Sequence, residues 1–264
     1  MFFTKEWFPA FAGKTLVWRI LSCGAMCSVR ASIINPFTVH RRTLPKMHIP
    51  ALLQFLQGLA ENNNRPWFVH NKPAYDILRE EFAELVSELI QRVSKFDKNI
   101  QHLDPKKSLF RIYRDVRFSR NKDPYKTHFS AVLGDKKTGA PCYYFQIDGQ
   151  GKLGLGGGIY MPEPATLKNI RNAIVADSAG FSKVLKNKRF AAAYGGLIDE
   201  DRLQRPPKGY DANHPHIEQI KNKHFFGWKE IDIRKGKHAD LAGEIAGAFE
   251  DAYALVTWLR GAVK

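Results

Sequence analysis

Cysteine is scarce in this chain. Cys23, Cys27 and Cys142 are the three in 264 residues. Cys23 and Cys27 lie close together with no second pair, a weak metal signal, and Cys142 stands alone. No disulfide framework can be built, which fits a reducing cytoplasm. No run approaches the roughly 20 apolar residues of a membrane span, so no membrane partner is expected. Acids are also short: 26 Asp and Glu against 41 Lys and Arg, a net charge of +15. Such a balance favours polyanions and phosphate ligands. Several catalytic patterns are missing: no HExxH, no Walker loop, no GxSxG elbow. The sequence offers no metal-ligand set and leaves any cofactor open.

What is present can build a core, with 44% hydrophobic and 12% aromatic residues. Residues 1–46 stand apart. Lys5, Lys14, Arg19, Arg30, Arg41, Arg42 and Lys46 face only Glu6, so this segment carries +6 and the remainder +9. The few acids resemble an organellar presequence. A signal peptide fits less well, since Arg19 breaks the apolar run. The reading preferred here is a mis-assigned start. "WFPAFAGKT" resembles the translation of an interspersed repeat found upstream of genes in some bacteria. Met47 is then the expected first residue, and 1–46 an extension outside the domain.

Residues 47–264 are expected to form one α+β domain: a mainly antiparallel β-sheet flanked by N-terminal and C-terminal helices. Leu52, Leu53, Leu56 and Leu59 mark a first helix, stopped by Asn62–Asn64. Leu78, Phe82, Leu85, Leu89 and Val93 recur at helical spacing in a second, expected to start near Asn71 and Pro73. "LFRIYRDVRF", "HFSAVLG", "PCYYFQIDG" and "GKLGLGGGIY" then read as strands joined by short turns, an antiparallel meander. Helices return after Pro164, with one more strand expected at "WKEIDIRK". Leu241, Ile245, Phe249, Val256 and Leu259 define the last helix.

The densest cluster of charge is "RIYRDVRFSRNKDPYKTH", Arg111–His128. As a strand it would place Phe110, Ile112, Val116 and Phe118 on one face. Arg114 would be a charge on that apolar face, so it needs a partner or a ligand. Pro124 imposes a bend, flanked by Lys122 and Lys126. Guanidinium forks match the paired oxygens of phosphate or carboxylate. Arg111, Arg114, Arg117, Lys122, Tyr125 and Lys126 are therefore candidate anion ligands, and Asp115 and His128 the candidate acid–base pair. The plain alternative is a salt-bridge network that fixes a strand to its neighbour.

Two further segments join the candidate site. In "GLGGGIYMPEP", Gly156, Gly157 and Gly158 can expose backbone N–H groups to an anion, or simply allow close packing. Arg171 lies on the following helix, within reach of the glycines. In "RPPKGYDANHP", Lys208, Tyr210 and His214 sit on a Pro/Gly-shaped loop before a short helix, where an Asx cap on a solvated loop is the simpler reading.

These three segments, with Asn62, Asn63, Trp67, Phe68, Asn71 and Tyr75, resemble domain-of-unknown-function family 2461. Its pattern runs "NN…WF..N…Y", "RIYRDVRFS..K.PYK", "GGG.Y.P" and "PKGY...HP". The resemblance spans nearly all of 47–264 and supports Met47 as the start. It implies no activity. Three functions remain open: binding of a small phosphorylated or carboxylated ligand, with or without chemistry on it; nucleic-acid binding, with Tyr113, Phe118 or Tyr125 stacking on bases; and a ligand-free interaction module.

Overall fold

The structure is a computed structural model describing residues 47–136, 140–234 and 238–264. All of these belong to one compact unit, Lys46–Lys264. The expected extension, residues 1–46, lies outside the described residues. Among those described, the order is α1 (Ile49–Glu61), α2 (Arg65–Val93), a 3-10 turn (Lys98–Ile100), α3 (Pro105–Ser108), β1 (His128–Leu133), β2 (Cys142–Asp148) and β3 (Lys152–Ile159). Then come α4 (Pro164–Ala176), α5 (Ser178–Leu185), α6 (Lys188–Tyr194), α7 (Ile217–Ile220), β4 (Phe225–Asp232) and α8 (Leu241–Ala262). The class is α+β, with N- and C-terminal helices packed on an antiparallel sheet of order β1-β2-β3-β4.

Short connections make β1, β2 and β3 a meander, whereas β4 joins the β3 edge only after α4 to α7. Asp148 accepts hydrogen bonds from the N–H groups of Gln150 and Lys152 and so closes the β2–β3 hairpin. The period-2 alternation sends Phe129, Ala131, Tyr143, Phe145, Leu153 and Leu155 into the main core. From α2, Phe82 meets Phe145 at 5.2 Å between ring centroids; from α8, Phe249 stacks on Tyr143 at 5.1 Å. Gly157 admits α8 to the sheet, since a Cβ there would lie 2.8 Å from the Ala252 methyl. A second core gathers Ile159, Ile170, Phe181, Phe190, Ile220 and Phe225 with Leu255 and Leu259 of α8.

One buried ion pair ties the elements together. Asp97 is 1% exposed. Its carboxylate accepts from Arg260 Nη1 at 2.7 and 2.9 Å, from the Tyr143 hydroxyl at 3.0 Å, and from both N–H donors of Asn99. Burial alone would raise its pKa. The hydrogen bonds from Asn99, Arg260 and Tyr143 outweigh that and lower it. The end of α8, the segment after α2, and β2 thus share one carboxylate.

Two boundaries differ from expectation. Helix α2 begins at Arg65, capped by Asn64, whose Oδ1 accepts from the Trp67 N–H at 3.0 Å. Pro73 lies inside the helix. It leaves the carbonyl four residues back, that of Val69, without its helical donor. Val69 is exposed, so water can serve that oxygen. "AGFSKVLKNKRFAAAYG" divides into α5 and α6 because Asn187 caps the second, accepting from the N–H groups of Arg189 and Phe190.

Candidate functional site

The expected strand "LFRIYRDVRF" is not a strand. Leu109 makes an isolated bridge to Ala131, and Tyr113 one to Tyr125. The bridges are four positions apart on the outgoing side and six on the return. That mismatch prevents a regular ladder. Phe110, Arg114 and Lys126 each donate one backbone hydrogen bond across the pair, to the carbonyls of Ser130, Pro124 and Ile112. The result is an irregular finger that continues β1 past His128.

Beyond Tyr113, side chains replace the missing ladder partners. Arg114 Nη1 donates to the Asp123 carbonyl at 3.1 Å, and Nη2 to the Ser119 hydroxyl at 3.3 Å. Lys122 Nζ donates to the Val116 carbonyl at 3.0 Å. Arg114 is thus a half-buried strut rather than a charge on an apolar face. Phe118, expected on that face, is 96% exposed.

The finger's base is anchored to α1 and α2. Asn63 Nδ2 donates to the Tyr125 carbonyl at 2.9 Å, while its Oδ1 accepts from the Tyr125 N–H at 3.0 Å. The Tyr125 ring is 3% exposed and stacks on Phe68 at 4.1 Å. Burial raises its hydroxyl pKa. Tyr125 is an anchor and has no free face for a base. On the other side, Lys126 and Lys136 lie over the Phe110 ring at 5.2 and 4.5 Å. Lys136 also donates to the carbonyls of Lys107 and Leu109. Burial, with Lys126 beside it, brings its pKa down to about 8. Nothing in the sequence pattern singled out Lys136.

The tip is different in character. Arg117 grips Asp115 through Nε and Nη2, at 2.9 and 2.6 Å. These hydrogen bonds hold the Asp115 carboxyl at about 2. It is ionised at neutral pH and a weak proton acceptor there. The Arg117 side chain is nonetheless 75% exposed. Arg111, Arg120 and Lys122 are exposed as well, and Tyr113 is 52% exposed.

The glycine and loop segments lie elsewhere. Gly156, Gly157 and Gly158 belong to β3, which pairs with β2 on one side and β4 on the other. Their N–H groups serve those two ladders. A Cβ on Gly156 would meet the Gly227 carbonyl at 1.9 Å, and one on Gly158 the Phe225 carbonyl at 2.1 Å. Close approach of β4 is therefore what Gly156 and Gly158 permit, and close approach of α8 what Gly157 permits. Arg171 donates to the carbonyls of Ile220 and Asn222 at 2.8 and 3.1 Å. The Tyr210 hydroxyl donates to Asn172 at 2.9 Å. His214 Nδ1 accepts from the His216 N–H, and Asp211 caps the N–H of Asn213. Lys208 is exposed on that loop.

Tyr210 packs against the second core and Arg171 bonds to Ile220 within it, whereas Ile112 and Tyr125 of the finger belong to the first. In register, His128 faces Asp148 and Gly157 faces Tyr143. Five residues along the strands is roughly 17 Å. The finger runs further still in the opposite direction. The structure therefore gathers the candidate residues into two places. His128 stands at the finger's base, half-buried.

A cleft of about 640 Å³ opens at the same end of the sheet. Its charged lining is Glu61, Asp148, Glu230 and Asp232 against Lys152 and Arg234, which suits an anion poorly. Among the described residues no group of His, Cys, Asp and Glu has metal-ligand geometry, and no helix is long and apolar enough to cross a membrane.

The family model described as "Conserved hypothetical protein (DUF2461)" matches residues 51–258. The chain belongs to that family. The matched span contains the finger, its anchor Asn63, the glycine strand and the "PKGY" loop. No curated protein and no solved structure matches the chain.

Proposed function

We propose that the protein binds an extended polyanion through the finger at Arg111–Lys126. The observation that carries this reading is the exposed tip. Arg117, Arg120 and Lys122 are exposed there with Phe118, and Arg117 lies against the Phe118 ring. Six cations and two acids occupy the stretch. A small anion is best held where cations converge in a concavity. Exposed cations spread along the chain, outside any described cleft, suit a chain of phosphates, with one contact to each.

The remaining motif residues support the same reading as scaffold. Asn63, Phe68, Arg114 and Tyr125 fix the finger's shape through bonds internal to the fold. A rigid support presents the outer cations without further ordering on binding, which lowers the entropic cost. Arg171, Tyr210 and His214 have internal partners and are assigned no ligand contact. No reaction is assigned to Asp115 or His128.

Thermal-shift and binding assays on the full chain test the reading. Polyphosphate should stabilise the protein, with an effect that fades steeply as salt rises. Stabilisation by a mononucleotide or a sugar phosphate, with little salt dependence and none from polyphosphate, would restore a compact small-anion site.

A further inference from the structure

We infer that the partner is single-stranded nucleic acid, and that Phe118 is the platform on which a base stacks. This rests on the polyanion reading and narrows it. Phe118 stands 96% exposed at the finger tip. A lone exposed apolar side chain is ordinary. This one is not alone. The Arg117 guanidinium carbon lies 5.8 Å from the Phe118 ring centroid. The guanidinium lies over one face of the ring; the other face can take a flat base, with Arg117 near its phosphate. Tyr113, 52% exposed, offers a second ring on the same finger.

The chemistry separates this partner from others that carry phosphate. In a duplex the base faces are hidden in the stack, so an exposed ring gains nothing there without kinking it. A single strand presents those faces. An anionic lipid surface also attracts cations and aromatics. Burying the tip among acyl chains would desolvate Ser119, Asn121 and Asp123 together with one phenylalanine. That exchange is unfavourable. Inorganic polyphosphate satisfies the cations and leaves Phe118 without a role.

The test uses the full chain and fluorescence anisotropy at fixed salt. The probes are oligo(dT), oligo(U), a duplex of equal length, and inorganic polyphosphate as competitor; vesicles of phosphatidylserine and phosphatidylcholine are assayed by co-sedimentation. Phe118→Ala should weaken oligo(dT) or oligo(U) binding by roughly tenfold or more, the scale of one stacked base. It should leave polyphosphate affinity within about twofold, since stacking contributes nothing there. Phe118→Trp should restore strand binding, with its emission quenched by the strand. Whichever strand binds more tightly identifies DNA or RNA, and either supports the inference. Equal strand affinity for Phe118→Ala and wild type would overturn it, as would duplex or vesicle binding as tight as the single strand. Failure of the polyanion reading is read separately: the Arg117→Ala/Arg120→Ala double variant would then bind polyphosphate like wild type.

Discussion

The side-chain amide of Asn63 pairs with the backbone of Tyr125 as a neighbouring strand would, giving one hydrogen bond of 2.9 Å and taking one of 3.0 Å. A single side chain between α1 and α2 thus holds the root of the cationic finger. Asn63→Ala removes both bonds. The expected loss of stability is about 1–3 kcal/mol, from hydrogen bonds of about 1 kcal/mol each plus poorly satisfied backbone groups. Chemical denaturation measures the loss. Amide exchange at Tyr125 and Lys126 should rise more than at the β2 amides, because the finger loosens before the sheet.

Asp115 occupies the fork of Arg117 as a phosphate oxygen pair would. It is an internal competitor for the partner. Asp115→Asn should therefore tighten polyphosphate binding, and Asp115→Ala should do so too, if the finger keeps its shape. The carboxyl titrates at about 2, below its usual value. Any contribution of the pair to stability is then fully present above about pH 4 and is lost as pH falls towards 2. Competition by Asp115 should accordingly be constant from pH 5 to 7, which a binding series across that range checks.

Gly156 separates packing from anion recognition. A Cβ there meets the Gly227 carbonyl at 1.9 Å and the Phe226 ring at 2.7 Å. Gly156→Ala forces β3 and β4 apart and should destabilise by about 1–3 kcal/mol or more. The folded fraction should bind polyphosphate normally, because the glycine strand and the finger tip lie apart. Selective loss of binding at unchanged stability would return the glycines to the site.

Arg260 is the partner of the buried Asp97 carboxylate. Arg260→Ala leaves that charge with Asn99 and Tyr143 alone, and should cost about 3–5 kcal/mol. The depressed Asp97 pKa adds a pH signature. Its stabilisation is present above the unfolded carboxyl value of about 4 and is lost as pH falls through the lower folded value. Acid unfolding of wild type and Arg260→Ala, compared at equal ionic strength, reads the difference.

The sheet and the long helices are legible in the sequence because burial imposes a period. Phe82, Leu85 and Leu89 repeat along α2, and Tyr143, Phe145 and Ile147 alternate along β2. The class, the meander and the closing helix follow from such repeats. The finger is not legible in that way. Its residues alternate like a strand, yet the carbonyls beyond Tyr113 are met by Arg114 and Lys122 side chains. Hydrophobic alternation carries no information about that exchange. Phe118 is the signal that was available: an aromatic residue between Arg117 and Arg120 has little apolar company in sequence. Helix α2 starts earlier than its sequence suggests because Asn64 and Asn71 each stand two residues before a proline, and only the Asn64 side chain caps the helix. The cations of three segments suggested one site. Strand register puts Gly157 five residues along the strands from His128, and register is set by turns whose lengths the charge pattern does not reveal.

The central claim is that the finger tip engages a chain of phosphates. The salt dependence of polyphosphate affinity tests it most directly, for the full wild-type chain and for Arg117→Ala/Arg120→Ala. The account predicts a steep negative slope of log affinity against log salt for wild type. It predicts a slope shallower by about 2 for the double variant, roughly one for each lost phosphate contact. Identical slopes for the two proteins would contradict it and leave the charges of the finger with a purely structural role.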